Sequence, residues 1–139
     1  MTDTLAQGGV QFLSMDFFNK LVNFLNQDAT LAHIIKDLRT TLLLSCNELP
    51  AAYLITVKEG RLSAKETSKN ELAEFSFTAP YQEWEKIARG QAKIQGEVVL
   101  GKIKFRGSMP KMLLYLNKVM RLESKIMKAI TSMPLTFNP

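Results

Sequence analysis

The stretch Leu100-Gly101-Lys102-Ile103-Lys104-Phe105-Arg106-Gly107-Ser108-Met109-Pro110 does most to limit what this chain can become. Ile103 and Phe105 alternate with Lys102, Lys104 and Arg106, the period of a strand with one face on a core and the other in water. Gly101 and Gly107 bracket it and mark turns or a close backbone approach. Ser108 can cap a helix, and Pro110 fits its first turn, where the missing N–H costs nothing. The strand must therefore hand over at once to the amphipathic run that follows.

That run spans residues 111–130. At about 100° per residue, Met112, Leu116, Val119, Met120, Ile126, Met127 and Ile130 gather on one side. Lys111, Lys118, Arg121, Lys125 and Lys128 gather on the other. Glu123 falls among the apolar positions. Either the helix breaks near Arg121 and restarts at Ser124, or Glu123 is partly buried with a partner. Five of the seven methionines lie from Met109 onward. Unbranched, polarizable side chains suit a face that must accept variable shapes. The segment 131–139, with Pro134 and Pro139, reads as an irregular tail.

Residues 1–13 read as a flexible lead-in. Ser14 then precedes a helix whose apolar face is Phe17, Leu21, Phe24 and Leu25. Asp28 caps a second short helix with Leu31, Ile34, Ile35 and Leu38 on one side and His33 pointing to solvent. Strands are expected over 39–46, 52–57 and 62–65. The turn Lys58-Glu59-Gly60-Arg61 joins the last two, with Gly60 supplying positive φ. In residues 73–79, Phe75 and Phe77 share a face with Ala73 and Ala79. These strands make an antiparallel sheet with one wet side. Pro80 opens a helix, 81–89, that buries Trp84, Ile87 and Ala88 and stops at Gly90. The segment 91–100 is left open between a short helix and a loop.

Composition removes several kinds of chemistry. Cys46 is the only cysteine and His33 the only histidine, so an internal disulfide and a multi-histidine metal site are both excluded. The chain contains no phosphate-cradling glycine loop, Cys-x-x-Cys, His-Glu-x-x-His or Gly-x-Ser-x-Gly. Glu83 and Glu85 are two residues apart on one helix and point apart, a poor acid–base pair. Cys46 and Glu123 are the remaining candidates for an enzyme, and the reading is that the chain is none and needs no cofactor or metal. The net charge of +5 tolerates anionic partners. Nucleic acid is set aside, because Lys102, Lys104 and Arg106 share their strand face with no stacking aromatic. The basic back of the last helix suits an anionic membrane surface. No bilayer-spanning run and no basic-then-apolar leader is visible, so a cytoplasmic location is expected.

The order of parts resembles the sterol carrier protein 2 domain. The resemblance is carried by Ala73-Glu74-Phe75-Ser76-Phe77-Thr78-Ala79-Pro80 with the Trp84 helix ending at Gly90, then by Gly101-Lys102-Ile103-Lys104-Phe105-Arg106-Gly107, then by the final amphipathic helix. It implies one domain over 1–139 of α+β class. A five-stranded, mostly antiparallel sheet would be covered on one face by helices, with an apolar tunnel closed by the C-terminal helix. It also implies non-enzymatic binding and transfer or presentation of fatty acid, fatty acyl-CoA, sterol-like lipid or phospholipid. Carried over by position, the tunnel lining would come from Phe75 and Phe77, Trp84 and Ile87, and Ile103 and Phe105. The final helix would add Met109, Met112, Leu113, Leu116 and Met120. The alternative is an interaction or homodimerisation module that uses this methionine-rich helix. The chain ends Phe137-Asn138-Pro139, without the Ser-Lys-Leu tripeptide of peroxisomal members.

Overall fold

The computed structural model describes residues 9–137. Its elements are β1 (Val10–Gln11), α1 (Met15–Asn26), α2 (Ala29–Ile34), β2 (Thr40–Cys46), β3 (Ala52–Lys58), β4 (Arg61–Thr67), β5 (Phe75–Ala79), α3 (Tyr81–Ala88), α4 (Ile94–Val99), β6 (Lys104–Arg106), α5 (Met109–Thr131) and β7 (Leu135–Thr136). The open segment before the glycine-bracketed strand is thus a short helix, α4.

The central sheet has five strands in the order β4-β3-β2-β5-β6. Glu59 and Gly60 both take positive φ, 52° and 75°, and close the β3–β4 hairpin as a two-residue turn. One neighbour relation differs from the expected antiparallel set: β5 returns to lie parallel to β2, with Leu42 opposite Phe75 and Leu44 opposite Phe77. The long 68–74 connection permits this, since parallel neighbours cannot be joined by a tight turn. The fold is α+β, with a mostly antiparallel sheet.

Helices cover one face. There Tyr53 pairs with Leu44, Leu44 with Phe77, and Phe77 with Phe105, a continuous apolar row across four strands. The opposite face carries only a small cluster of Leu43, Ala52 and Leu54 under Ala73. Ser14 caps α1 by accepting from Phe17 N at 3.2 Å, and Asp28 caps α2 by accepting from Leu31 N at 3.0 Å.

The buried stripe of α1 is Phe17, Phe18, Leu21, Val22 and Leu25. Phe24, expected on it, is 45% exposed. The stripe is centred between Phe18 and Leu21, which puts Phe24 roughly a quarter-turn from that centre, just past the Phe17 edge. Asn26 at the end of α1 makes a two-way clamp on the sheet: Nδ2 donates to the Leu62 carbonyl at 2.8 Å, and Oδ1 accepts from Leu62 N at 2.9 Å. Both groups of Leu62 face outward on the edge strand β4, so they depend on this side chain. Asn26→Ala is expected to lower stability by about 1–3 kcal/mol in urea titration, with the slope unchanged.

Two further expectations are corrected. Residues 10–13 are not a loose lead-in, and the tail is not wholly irregular. Val10–Gln11 pairs in parallel with Leu135–Thr136, and Phe12 is buried against Phe17, Tyr81 and Phe137. Backbone pairing explains the miss, because a two-residue strand has no periodicity to read. Residues 1–8 and 138–139 of those two segments lie outside the described residues.

Candidate functional site

Between the sheet and the helices lies a cavity of about 840 Å³. Its position follows from how α5 is held. Ser108 accepts from Lys111 N at 3.2 Å and starts the helix immediately after β6. The helix then packs chiefly on α1, α2 and α3, and reaches the sheet through Tyr115, whose ring meets Phe75 edge-on at 6.0 Å. Held off the strands in this way, α5 leaves room above the Tyr53–Leu44–Phe77–Phe105 row, all four of which line the space. Phe17, Phe18, Leu21 and Leu25 of α1 close another side.

Nine of the positions expected to line a tunnel border this cavity: Phe77, Trp84, Ile87, Phe105, Met109, Met112, Leu113, Leu116 and Met120. Phe75 and Ile103 do not. Phe75 is sealed between Phe105, Tyr115 and the Gly107 backbone, and Ile103 is buried in the core with its N–H on the Glu97 carbonyl at 3.2 Å. Trp84 is fixed by an indole N–H donated to the Ser45 carbonyl at 2.9 Å, which pins α3 to the end of β2. The contributions of α1 and β2 went unread because their residues look like any helix stripe or strand core.

The helix α5 walls the cavity without closing it. It is continuous, so of the two alternatives the break near Arg121 does not occur. Leu122, Ala129 and Ile130 in its second half are buried, while Met109, Leu113 and Met120 in its first half border the cavity and are exposed. Val99, at 85%, and Leu100 on the α4 side are exposed cavity residues too, so this is the mouth. The second alternative for Glu123 holds: it lines the cavity, and its Oε2 accepts from Ile94 N, the first residue of α4, at 3.2 Å.

The basic back of α5 is less free than the sequence implies. Lys111 pairs with Glu74 at 2.7 Å and Lys125 with Asp28 at 2.8 Å. That leaves Lys118, Arg121 and Lys128 as the outward cations of the set.

Nucleophilic chemistry finds little support. The Cys46 thiol is buried, donates to Glu48 Oε1 at 3.4 Å, and burial pushes it up, away from the reactive thiolate. Among the described residues no cluster of His, Cys, Asp and Glu could hold a metal ion. No described helix is long and apolar enough to cross a membrane.

One acidic pair escaped the sequence reading because its members are distant in sequence. Glu83 on α3 and Glu97 on α4 are both buried, and Lys86 Nζ lies 3.5 Å from one and 3.7 Å from the other. Burial, and then the facing Glu97, pushes the Glu83 carboxyl up. The hydrogen bond from Glu83 holds Glu97 below the ordinary range, helped by Lys102 and Lys86. A carboxyl raised in the fold stabilises below its unfolded pKa and costs stability as pH climbs through its folded one. Glu83→Gln keeps a donor to Glu97 and removes that cost. Its melting point near neutral pH is expected to exceed the parent's by about 2 °C or more. The gain should shrink in melts run near pH 4, where the raised Glu83 carboxyl is protonated in the fold and largely protonated in the unfolded chain, so that its cost falls away.

Comparison with known proteins places this geometry. The family model described as the SCP-2 sterol transfer family matches residues 18–121. The crystal structure of sterol carrier protein 2 superposes with TM-score 0.73 at 12% identity, over 88% of this chain and 99% of that one. A Thermus thermophilus protein, described as possibly a sterol carrier protein, gives TM-score 0.74 at 14% identity, over 88% and 92%. A sec-alkylsulfatase from Pseudomonas sp. also matches, with TM-score 0.56 at 19% identity, over 78% of this chain and 15% of that enzyme. No curated protein matches this chain in sequence. With three quarters of its length matched by that family model and the same α+β fold as these structures, the chain belongs to the SCP-2 sterol transfer family, whose domains bind or transfer lipids.

Proposed function

We propose that this chain holds one lipid in the cavity between its sheet and α5, and transfers or presents it without chemical change. The carrying observation is the cavity itself: about 840 Å³, bordered almost wholly by aliphatic, aromatic and methionine side chains. That volume falls in the upper part of the range of ligand sites, about 300–1,000 Å³. Each methylene withdrawn from water stabilises a complex by about 0.8 kcal/mol, so a long chain or fused ring needs few polar contacts to bind. Fatty acid, fatty acyl-CoA, sterol-like lipid and phospholipid are the classes to test. The cytoplasm is the compartment in which we place this activity.

The exposed lips Val99, Leu100, Leu113 and Met120, with Arg121 next to Met120 on α5, support delivery by brief contact with an anionic bilayer. Transfer of a fluorescent lipid between donor and acceptor vesicles tests this. The rate should rise well above the spontaneous one and rise further with anionic acceptors. A rate equal to the protein-free control contradicts the reading.

A second reading rests on one observation. Leu114 on the back of α5 is 82% exposed, and Leu113 beside it is 60% exposed. Such a patch also suits a second copy of the chain. Sedimentation across a hundredfold concentration range separates the two: a monomer throughout favours the carrier, and association abolished by Leu114→Asp favours the module.

A further inference from the structure

We propose that Glu123 makes this cavity select a lipid with an uncharged, hydrogen-donating polar end, a hydroxyl or an amide, over a lipid carboxylate of the same chain. The proposal rests on the lipid-binding reading above.

The lining has an asymmetry of charge. Among the described residues that border the cavity, mouth included, there is no lysine, arginine or histidine, and Glu123 is the one ionisable carboxylate. Glu123 stands in the middle of the stripe that α5 turns to the cavity, a turn from Met120 on one side and Met127 on the other. A lipid lying along α5 must pass it.

Two other polar side chains on the lining are already engaged. The Trp84 indole N–H is spent on the Ser45 carbonyl, and the Cys46 thiol on Glu48. Glu123 spends one oxygen, Oε2, on Ile94 N. That bond accounts for an oxygen acceptor at this position but not for a charge, since a glutamine carbonyl would cap α4 equally well. The charge acts on whatever enters the cavity. Its remaining oxygen can accept from a hydroxyl or an amide, and such a bond to an ionised group is among the stronger neutral-to-charged contacts. A carboxylate offers no donor there, meets a like charge in an apolar surround where repulsion is poorly screened, and finds no cation in the lining.

The test uses two fluorescent probes with one polyene chain, cis-parinaric acid and its alcohol, titrated into the full chain near neutral pH. The alcohol is expected to bind about tenfold tighter or more than the acid. In Glu123→Gln the acid should gain about tenfold while the alcohol changes less than about threefold. Equal binding of acid and alcohol by the parent overturns the proposal, as does a preference that survives unchanged in the variant. Failure to bind either probe instead overturns the lipid-binding reading itself. Should the variant not fold, the methyl ester decides in the parent chain. An ester bound more tightly than the acid supports exclusion by charge, and one bound as weakly as the acid overturns it.

Discussion

Leu116→Asp is expected to weaken equilibrium binding of a fluorescent lipid about a hundredfold while leaving the fold intact. Leu116 is half-buried on the cavity side of α5, between Met112 and Met120. In the empty protein an aspartate there is met by water in the open cavity, so the penalty for folding is small. In the complex the same carboxylate must give up that water to an acyl chain or a ring, which costs several kcal/mol when nothing pairs with it. Leu114→Asp is the control. It adds the same charge two residues away on the opposite face of the helix, at an exposed site outside the cavity lining. Its binding constant should stay within about twofold of the parent's. Fluorescence titration measures the affinities and circular dichroism checks the fold. Equal loss in both variants would mean that the helix as a whole, rather than its cavity face, is what the ligand requires.

Gly107→Ala is expected to cost about 2–4 kcal/mol, with a melting point lower by roughly 10 °C. Two features coincide at this position. Gly107 has φ of 137°, a region that side chains avoid. A Cβ built there would lie 2.6 Å from Phe75 Cδ1 and 2.7 Å from the Glu74 carbonyl oxygen. Phe75 is nearly fully buried against Phe105 and Tyr115, so it has nowhere to retreat. Because Gly107 also passes the chain from β6 into α5, relief of the clash would move the helix that walls the cavity. Thermal melts with the alanine variant check this, and a shift under about 2 °C would mean that the contact yields at little cost.

That glycine was legible in the sequence as a turn or a close approach, and the structure makes it both. The same holds for the rest of the Leu100–Pro110 segment: alternation placed Phe105 on the covered face, and Ser108 and Pro110 began α5 where expected. Periodicity also read the cavity stripe of α5 correctly as one apolar face. It could not say what that face meets. Ile103 has the same parity as Phe105 yet is consumed in the core, and Phe75 the same parity as Phe77 yet is sealed off by Tyr115. Which apolar residue borders a void and which fills one is set by how far a helix stands from a sheet. That distance is fixed by the α1, α2 and α3 contacts of α5, which no local pattern records. Long-range pairings were equally hidden: the β1–β7 ladder, the Asn26 clamp on Leu62 and the Glu83–Glu97 pair each join residues too distant for a periodic signal. Glu123 was visible as an interruption in the stripe, and its continuous helix shows that the interruption is accommodated by capping α4.

Lipid carriage requires that a lipid, not only side chains, fill the space between the Tyr53–Leu44–Phe77–Phe105 row and α5. Native mass spectrometry of the full chain, freshly purified and then mixed with a panel of lipids, tests it most directly. One lipid per chain is expected, released on organic extraction and absent or much reduced in Leu116→Asp. A bare chain that stays bare across the panel would contradict it.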